Sequence, residues 1–245
     1  MAGRTQSPGD DPARSPAAGR EPLMELPVVA FFLAIAAGTM DGFTFFSAGT
    51  FSTVQSGNVI QLGFWLAESD WQKLLDVGLS VIAFGAGVTS MVLFRNFFRE
   101  PGAAISPRIL LLEGAAFLVV GMPFIGGNMD VLIVAYIVAF LAGFQGTAFH
   151  KTAGMTYGNV GATLNVQRAF DYLARAIFRF RQDNLDRSGI YFLILLGFAA
   201  GGLIGGLGAS HLNQRTLWIP AIVLGVLAVI ASRESSEREP VDPRP

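Results

Sequence analysis

The stretch DGFTFFSAGTFSTVQSGNVIQLGFWLA, residues 41–67, decides how the chain is read. It is apolar enough to lie in a membrane. Gly42, Gly49, Ser52, Thr53, Gln55, Ser56, Gly57 and Asn58 crowd its centre, and one uninterrupted helix tolerates such a run poorly. A broken segment at membrane depth survives only where protein or a water-filled cavity supplies partners for its backbone. A related stretch follows 104 positions later, with Gly42 matched by Gly146, Gly57 by Gly161, Asp41 by Gln145 and Gln61 by Asn165. The correspondence reads as a weak internal repeat.

The surrounding composition supports a membrane setting. Of 245 residues 52% are hydrophobic and 14% charged, against about 25% charged in soluble domains. The charges sit at segment ends and leave long runs free of them, which is the pattern of an integral membrane protein. The net charge of −1 says nothing about partners. Cysteine is absent, which excludes disulfides, thiolate catalysis and Cys-ligated metals. The two histidines, His150 and His211, are too far apart in sequence to suggest a metal site.

Residues 1–26 carry Pro8, Pro12, Pro16 and Pro22 among Gly, Ser, Asp and Arg and read as a disordered tail. They lack the apolar core of a cleavable signal peptide, so the first apolar helix would serve as an uncleaved anchor. Six spans follow, at roughly Val28–Ala48, Leu75–Phe94, Ile109–Phe124, Val131–Phe149, Gly189–Ala209 and Thr216–Ala231. The segment Asn58–Ala67 is too short to cross alone, since a crossing takes about 20 residues. The segment Thr163–Phe180 is interrupted by Arg168, Asp171, Arg175 and Arg179. Residues 233–245 read as a second disordered tail.

Basic residues mark the cytoplasmic side. With the N-terminus inside and both extra segments entering and leaving on one face, only Lys73 and Arg215 of the 17 basic residues fall outside. If Asn58–Ala67 crossed fully, Arg95, Arg99 and Arg108 would move outside as well. The expected fold is therefore all-α, a polytopic membrane protein with six transmembrane helices and two re-entrant half-helices. Each half, about 27–126 and 128–232, has three crossings, so the second is inverted relative to the first, a recurring transporter design. Both termini are expected in the cytoplasm.

In that arrangement the loop before each half-helix dips toward the midplane. Nine or ten extended residues reach about 30 Å, so both half-helix N-termini would point at the centre. Each carries roughly half a positive charge and unpaired N–H donors. Two facing N-termini suit a small anion or a polar solute with acceptor oxygens. The substrate-binding candidates are Asp41, Gln55, Ser56, Gly57, Asn58, Gln61, Gln145, Gly161, Thr163 and Asn165. Capping of the half-helices is the alternative role for these polar groups. Asp41 is the one acid deep in a span, where a charge is costly. It either binds a proton or cation or holds the neighbouring broken backbone. Glu113 is expected to pair with Arg108 or another interfacial Arg. His150 and Lys151 read as interfacial, Arg168, Arg175, Arg179 and Arg181 as lipid-headgroup anchors, and Asp171 as a partner of Arg168 and Arg175. Gly85, Gly87, Gly197, Gly201 and Gly205 read as packing positions.

The run Gly38-Thr39-Met40-Asp41-Gly42-Phe43 with Gln55-Ser56-Gly57-Asn58-Val59 resembles the opening of the YoaK-like family of uncharacterised bacterial membrane proteins. Gly143-Phe144-Gln145-Gly146 with Val160-Gly161-Ala162-Thr163-Leu164 is similar to its second half. Ser56 stands where that family usually has Thr, and Ala162 interrupts the second motif. The resemblance covers about residues 27–232. It implies a multi-spanning protein of the bacterial inner membrane and no substrate. No hydrolase, kinase or nucleotide motif is present; the Gly cluster 201–208 lacks the Lys and acidic residue of a phosphate loop. The chain is expected to be no enzyme, to use no cofactor or metal, and to bind no nucleic acid. Its partners are the lipid bilayer and a small anion or polar solute, with self-association left open. A transporter or channel is the leading reading, and a membrane scaffold or partner-docking protein the other.

Overall fold

The computed structural model describes residues 22–98, 102–179 and 181–238. The chain there is almost entirely helical: α1 Pro27–Ala48, α2 Gln55–Ala67, α3 Trp71–Phe98, α4 Gly102–Val120, α5 Val131–Ala148, α6 Thr163–Arg179, α7 Gln182–Leu212 and α8 Trp218–Arg238. The expected tails lie mostly outside the described residues. At their inner edges Leu23–Glu25 forms a 3-10 turn and α8 runs on to Arg238. A two-rung antiparallel hairpin, β1 Lys151–Thr152 and β2 Met155–Thr156, sits in the loop before α6, where no strand was expected. Four stretches are long and apolar enough to cross a membrane: residues 27–48, 71–97, 131–148 and 182–233. They are consistent with a multi-pass membrane protein.

Local chemistry sets the helix ends. Pro27 opens α1, where its missing N–H costs nothing. Gly49 closes it in the left-handed conformation, its N–H on Phe45 O. Asp130 caps α5 by accepting the Leu132 N–H at 2.8 Å. Asp70 accepts the Lys73 N–H at 3.1 Å at the start of α3.

The helices pair across the two halves of the chain. Helix α1 lies on α7, α3 on α5, and α4 on α8, while α2 rests on α3 and α6 on α7. The α1/α7 contact is a parallel glycine seam: Gly197 meets Phe31, Gly201 meets Ile35 and Gly205 meets Thr39, so both sequences climb together. A methyl group at Gly42 would strike the Gly202 carbonyl oxygen. Gly87 of α3 and Gly143 of α5 meet backbone in the same way, whereas Gly85, expected to pack, has open space beside it. Helices α4 and α8 run antiparallel, with Trp218 Nε1 donating to Leu118 O at 3.2 Å and Gly114 beside Ala221 O. The main core joins α1, α4, α5 and α8 through Leu33, Met40, Phe117, Val138 and Leu224. Large apolar side chains such as Ile60, Phe64, Ile82, Leu203 and Ile222 face outward, as a lipid-facing surface requires.

Candidate functional site

The break after α1 is held from two sides. Asp41, on the last turns of α1, is 5% exposed. Its Oδ1 accepts the Ser52 N–H at 2.9 Å, the Ser52 hydroxyl at 3.3 Å and the Thr53 N–H at 2.7 Å. Its Oδ2 accepts the Thr53 hydroxyl at 2.6 Å. Four donors converge on one carboxylate, and hydrogen bonds to an ionised acceptor are about twice as strong as neutral ones. Asn58, fully buried in the first turn of α2, grips the loop from the other side. Its Oδ1 accepts the Phe51 N–H at 3.0 Å and the Thr50 hydroxyl at 3.1 Å. Its Nδ2 donates to Phe51 O at 2.6 Å and to Gln55 Oε1 at 2.9 Å. Ser80 of α3 adds a bond to Phe51 O at 2.9 Å.

The second half repeats the grip. Asn165, in the first turn of α6, accepts the Gly158 N–H at 2.9 Å and donates to Gly158 O at 2.6 Å and Gly161 O at 3.3 Å. Each asparagine clasps both polar groups of the residue seven positions before it. The structural repeat therefore matches Asn58 to Asn165, three positions from the match of Gln61 to Asn165 suggested by a constant offset. The longer second loop, with its hairpin, absorbs the difference. Asn159 Nδ2 donates to Gln145 O at 3.2 Å, so the loop also touches the end of α5. Gln145, the counterpart of Asp41, is fully buried, and neither polar atom of its side chain has a hydrogen-bond partner.

The two breaks open into one cavity of about 350 Å³. Thr53, Val54, Gln55 and Ser56 line one side, at the N-terminus of α2, and Gly158, Val160, Gly161, Ala162, Thr163 and Leu164 the other, at the N-terminus of α6. No lining residue is charged. Three hydroxyls and one amide side chain supply its polarity, and both helix dipoles present their positive ends; in α2 the Gln55 and Gly57 N–H groups already bond Thr53 O and Val54 O.

Of the residues singled out from sequence, Gln55, Ser56, Gly161 and Thr163 line this cavity. Asp41, Asn58 and Asn165 are instead bonded to the loops that form its walls. Gly57 makes room for the Phe51 ring, 2.8 Å from where its methyl would stand. Gln61 lies one turn further along α2, outside the lining. Thr53, Val54, Gly158, Val160, Ala162 and Leu164 were not anticipated. The spacing of seven between a loop residue and the helical Asn is the signal that would have found both walls.

Glu113 departs from expectation. It is fully buried on α4, and neither carboxylate oxygen has a hydrogen-bond partner, so the ion pair with Arg108 is not formed. The register explains this: Glu113 shares the inner face of α4 with Ile109, Leu110 and Phe117, while Arg108 is on the exposed face. Asp171 pairs with Arg175 at 3.0 Å; among the described residues no ion pair joins it to Arg168. His150 and Lys151 are exposed. No group of three or more metal-ligating side chains occurs among the described residues.

A family model described as DUF1275, protein of unknown function, matches residues 29–230. This agrees with the expected uncharacterised family and leaves the YoaK-like name unconfirmed. No curated protein matches the chain. No solved structure matches it.

Proposed function

As the chain belongs to the DUF1275 family, whose function is unknown, its activity has to be argued from its own geometry, and we propose an integral-membrane transporter or channel for a small anion or polar solute. The observation that carries the proposal is the single cavity lined by the N-termini of both α2 and α6. Its dipoles and N–H donors favour acceptor oxygens or a halide-like anion. Its lack of charged lining favours a solute that is weakly hydrated or neutral. In this reading the chain is not an enzyme, and it sits in a bacterial inner membrane.

Three contacts support two re-entrant half-helices within an inverted repeat. Parallel packing of α1 on α7 supports a topology in which both start on one face of the membrane. The Glu25 carbonyl, just before α1, accepts the Ala153 N–H at 2.7 Å and the Thr152 hydroxyl at 2.9 Å, just after α5. These bonds support a chain that leaves α5 on the face where α1 began. If α1, α3, α4 and α5 each cross once, that return requires α2 not to cross. The start of α7 on the same face then requires the same of α6. The distribution of basic residues supports a cytoplasmic location for that face. The antiparallel α4/α8 pair agrees, since an inverted repeat sends its third and sixth crossings in opposite directions.

Purified protein in liposomes tests the proposal. A permeant panel of chloride, nitrate, formate, urea and glycerol is applied as an osmotic step and followed by light scattering. At least one solute is expected to enter faster than in protein-free vesicles, and Thr163→Leu is expected to slow it. A folded protein that speeds none of the five supports the alternative, a non-transporting scaffold.

A further inference from the structure

We infer that Glu113 is a proton-binding site sealed in the α4/α8 seam, whose proton exchanges with water only when those two helices separate. The carboxyl group lies about 16 Å along the helix from the start of α4 and about 10 Å from its end. It is fully buried between Leu110 and Phe117 on the same face of α4, and those two share one core cluster with Leu224, Leu227 and Ala228 of α8. Neither oxygen has a partner.

The elements packed on α4 are α8, α5 and the 3-10 turn Asn213–Leu217. The titratable residues on them are Arg233, Glu234, Glu237 and Arg238 of α8, Asp130 and Tyr136 beside or on α5, and Arg215 of the turn. On α4 itself the described one is Arg108. Neither Glu113 oxygen is hydrogen-bonded to any of them. An ionised carboxylate without a partner or water is not sustained in such a place, so the group is held as the neutral acid. Ionisation breaks the carboxyl O–H bond and passes the proton to water, and that water has to enter the seam. Deprotonation and opening are then one event.

The seam joins the two halves of the chain. Helix α4 ends the first half of the chain and α8 the second. Between them Gly114 lies beside Ala221 O, and Gly121 makes room for the Trp218 ring. A proton released on opening is a second ligand beside the solute of the central cavity. Its role as a coupling ion rests on the transport reading; its existence does not.

The test needs no solute. In the full chain, naturally free of cysteine, Ala221→Cys is labelled in lipid nanodiscs by a small thiol reagent across a pH series. Rates are normalised to Ser69→Cys, an exposed loop position, to remove the thiol's own ionisation. The normalised rate is expected to rise tenfold or more with pH, and to stay flat when Glu113→Gln is added. A flat profile in the parent, or an equal rise with Glu113→Gln, overturns the inference. Infrared spectra of the chain without cysteine give an independent reading. The protonated-carboxyl stretch is expected at neutral pH, lost in Glu113→Gln and kept in Asp41→Asn; a Glu113→Gln spectrum identical to wild type overturns the assignment. If flux fails while labelling follows Glu113, the transport reading falls and the proton site stands.

Discussion

Replacing Asn58 by Ala removes both halves of a clasp and leaves a quantifiable debt. Phe51 N–H and the Thr50 hydroxyl lose the acceptor they share, while Phe51 O keeps Ser80. A buried polar group left without a partner costs about 1–3 kcal/mol. Two orphaned donors, with the Thr50 hydroxyl able to turn, come to roughly 2–4 kcal/mol. Asn165→Ala strands the Gly158 N–H and takes a donor from two carbonyls, for a similar roughly 2–4 kcal/mol. Gln61→Ala is the control. It removes a polar side chain from the same helix as Asn58 but outside the loop contacts, and a change away from such features stays within about 0.5 kcal/mol. Reversible unfolding of the purified chain in mixed detergent and SDS micelles measures all three. The two clasp variants are expected to lose stability in near-equal amounts, well beyond the control. If neither exceeds Gln61→Ala, the loops are not held by their asparagines and the account of the cavity walls is wrong.

Asp41→Asn keeps shape, but its one amide oxygen can serve only one of the two short bonds from Thr53, and the amide nitrogen in the other place cannot accept, a loss of roughly 1–3 kcal/mol; solute flux in vesicles is expected to fall about tenfold at unchanged insertion, and wild-type flux would remove Asp41 from the mechanism. Gly42→Ala overpacks the α1/α7 seam and is expected to cost about 1–3 kcal/mol in the same unfolding assay, whereas Gly85→Ala, with open space beside it, is expected to be neutral or stabilising. Single cysteines report sidedness: an impermeant thiol reagent outside intact cells is expected to label Ser69→Cys and not Gly102→Cys, and the reverse result inverts the topology. The Asp70 carboxylate is held below its usual range by the Lys73 N–H and charge. A carboxylate depressed in the folded state contributes above its unfolded value and loses that contribution as pH falls through the folded one. Protection of the Lys73 amide, taken relative to its intrinsic exchange rate at each pH, is therefore expected to be steady from neutral down to about pH 4 and to fall below it, with Asp70→Asn removing the step.

Much of this fold was readable because hydrophobic length and helix punctuation are local signals. Pro27, Gly49, Asp130 and Gly161 fall at or beside helix ends for reasons visible in a few residues. The clustering of Gly, Ser, Thr and Asn between 49 and 58 marked a break, and the break is there. What the sequence hid was set by distant partners. The shift from Gln61 to Asn58 as the counterpart of Asn165 comes from unequal loop lengths, which a constant offset cannot follow. The partner of Asp41 is the backbone eleven and twelve residues on, a contact no helical spacing announces. Glu113 looked interfacial because Arg108 was near in sequence, yet five positions along a helix turn the two side chains to different faces. Four of the ten lining residues, Gln55, Ser56, Gly161 and Thr163, were anticipated from polar groups and a glycine at the helix starts, while Val54, Val160 and Leu164 carry no chemical signal of their own.

The most direct measurement joins the two cavity walls. Ser56→Cys and Thr163→Cys in the cysteine-free chain face the same space from different halves, and a short bifunctional thiol reagent is used to bridge them in reconstituted vesicles. The account predicts that the bridge forms and that solute entry then falls to the rate of protein-free vesicles, while each single variant keeps its flux under the same reagent. A bridge that forms and leaves entry unchanged, or a folded protein in which it never forms, contradicts a solute route between the two half-helix N-termini.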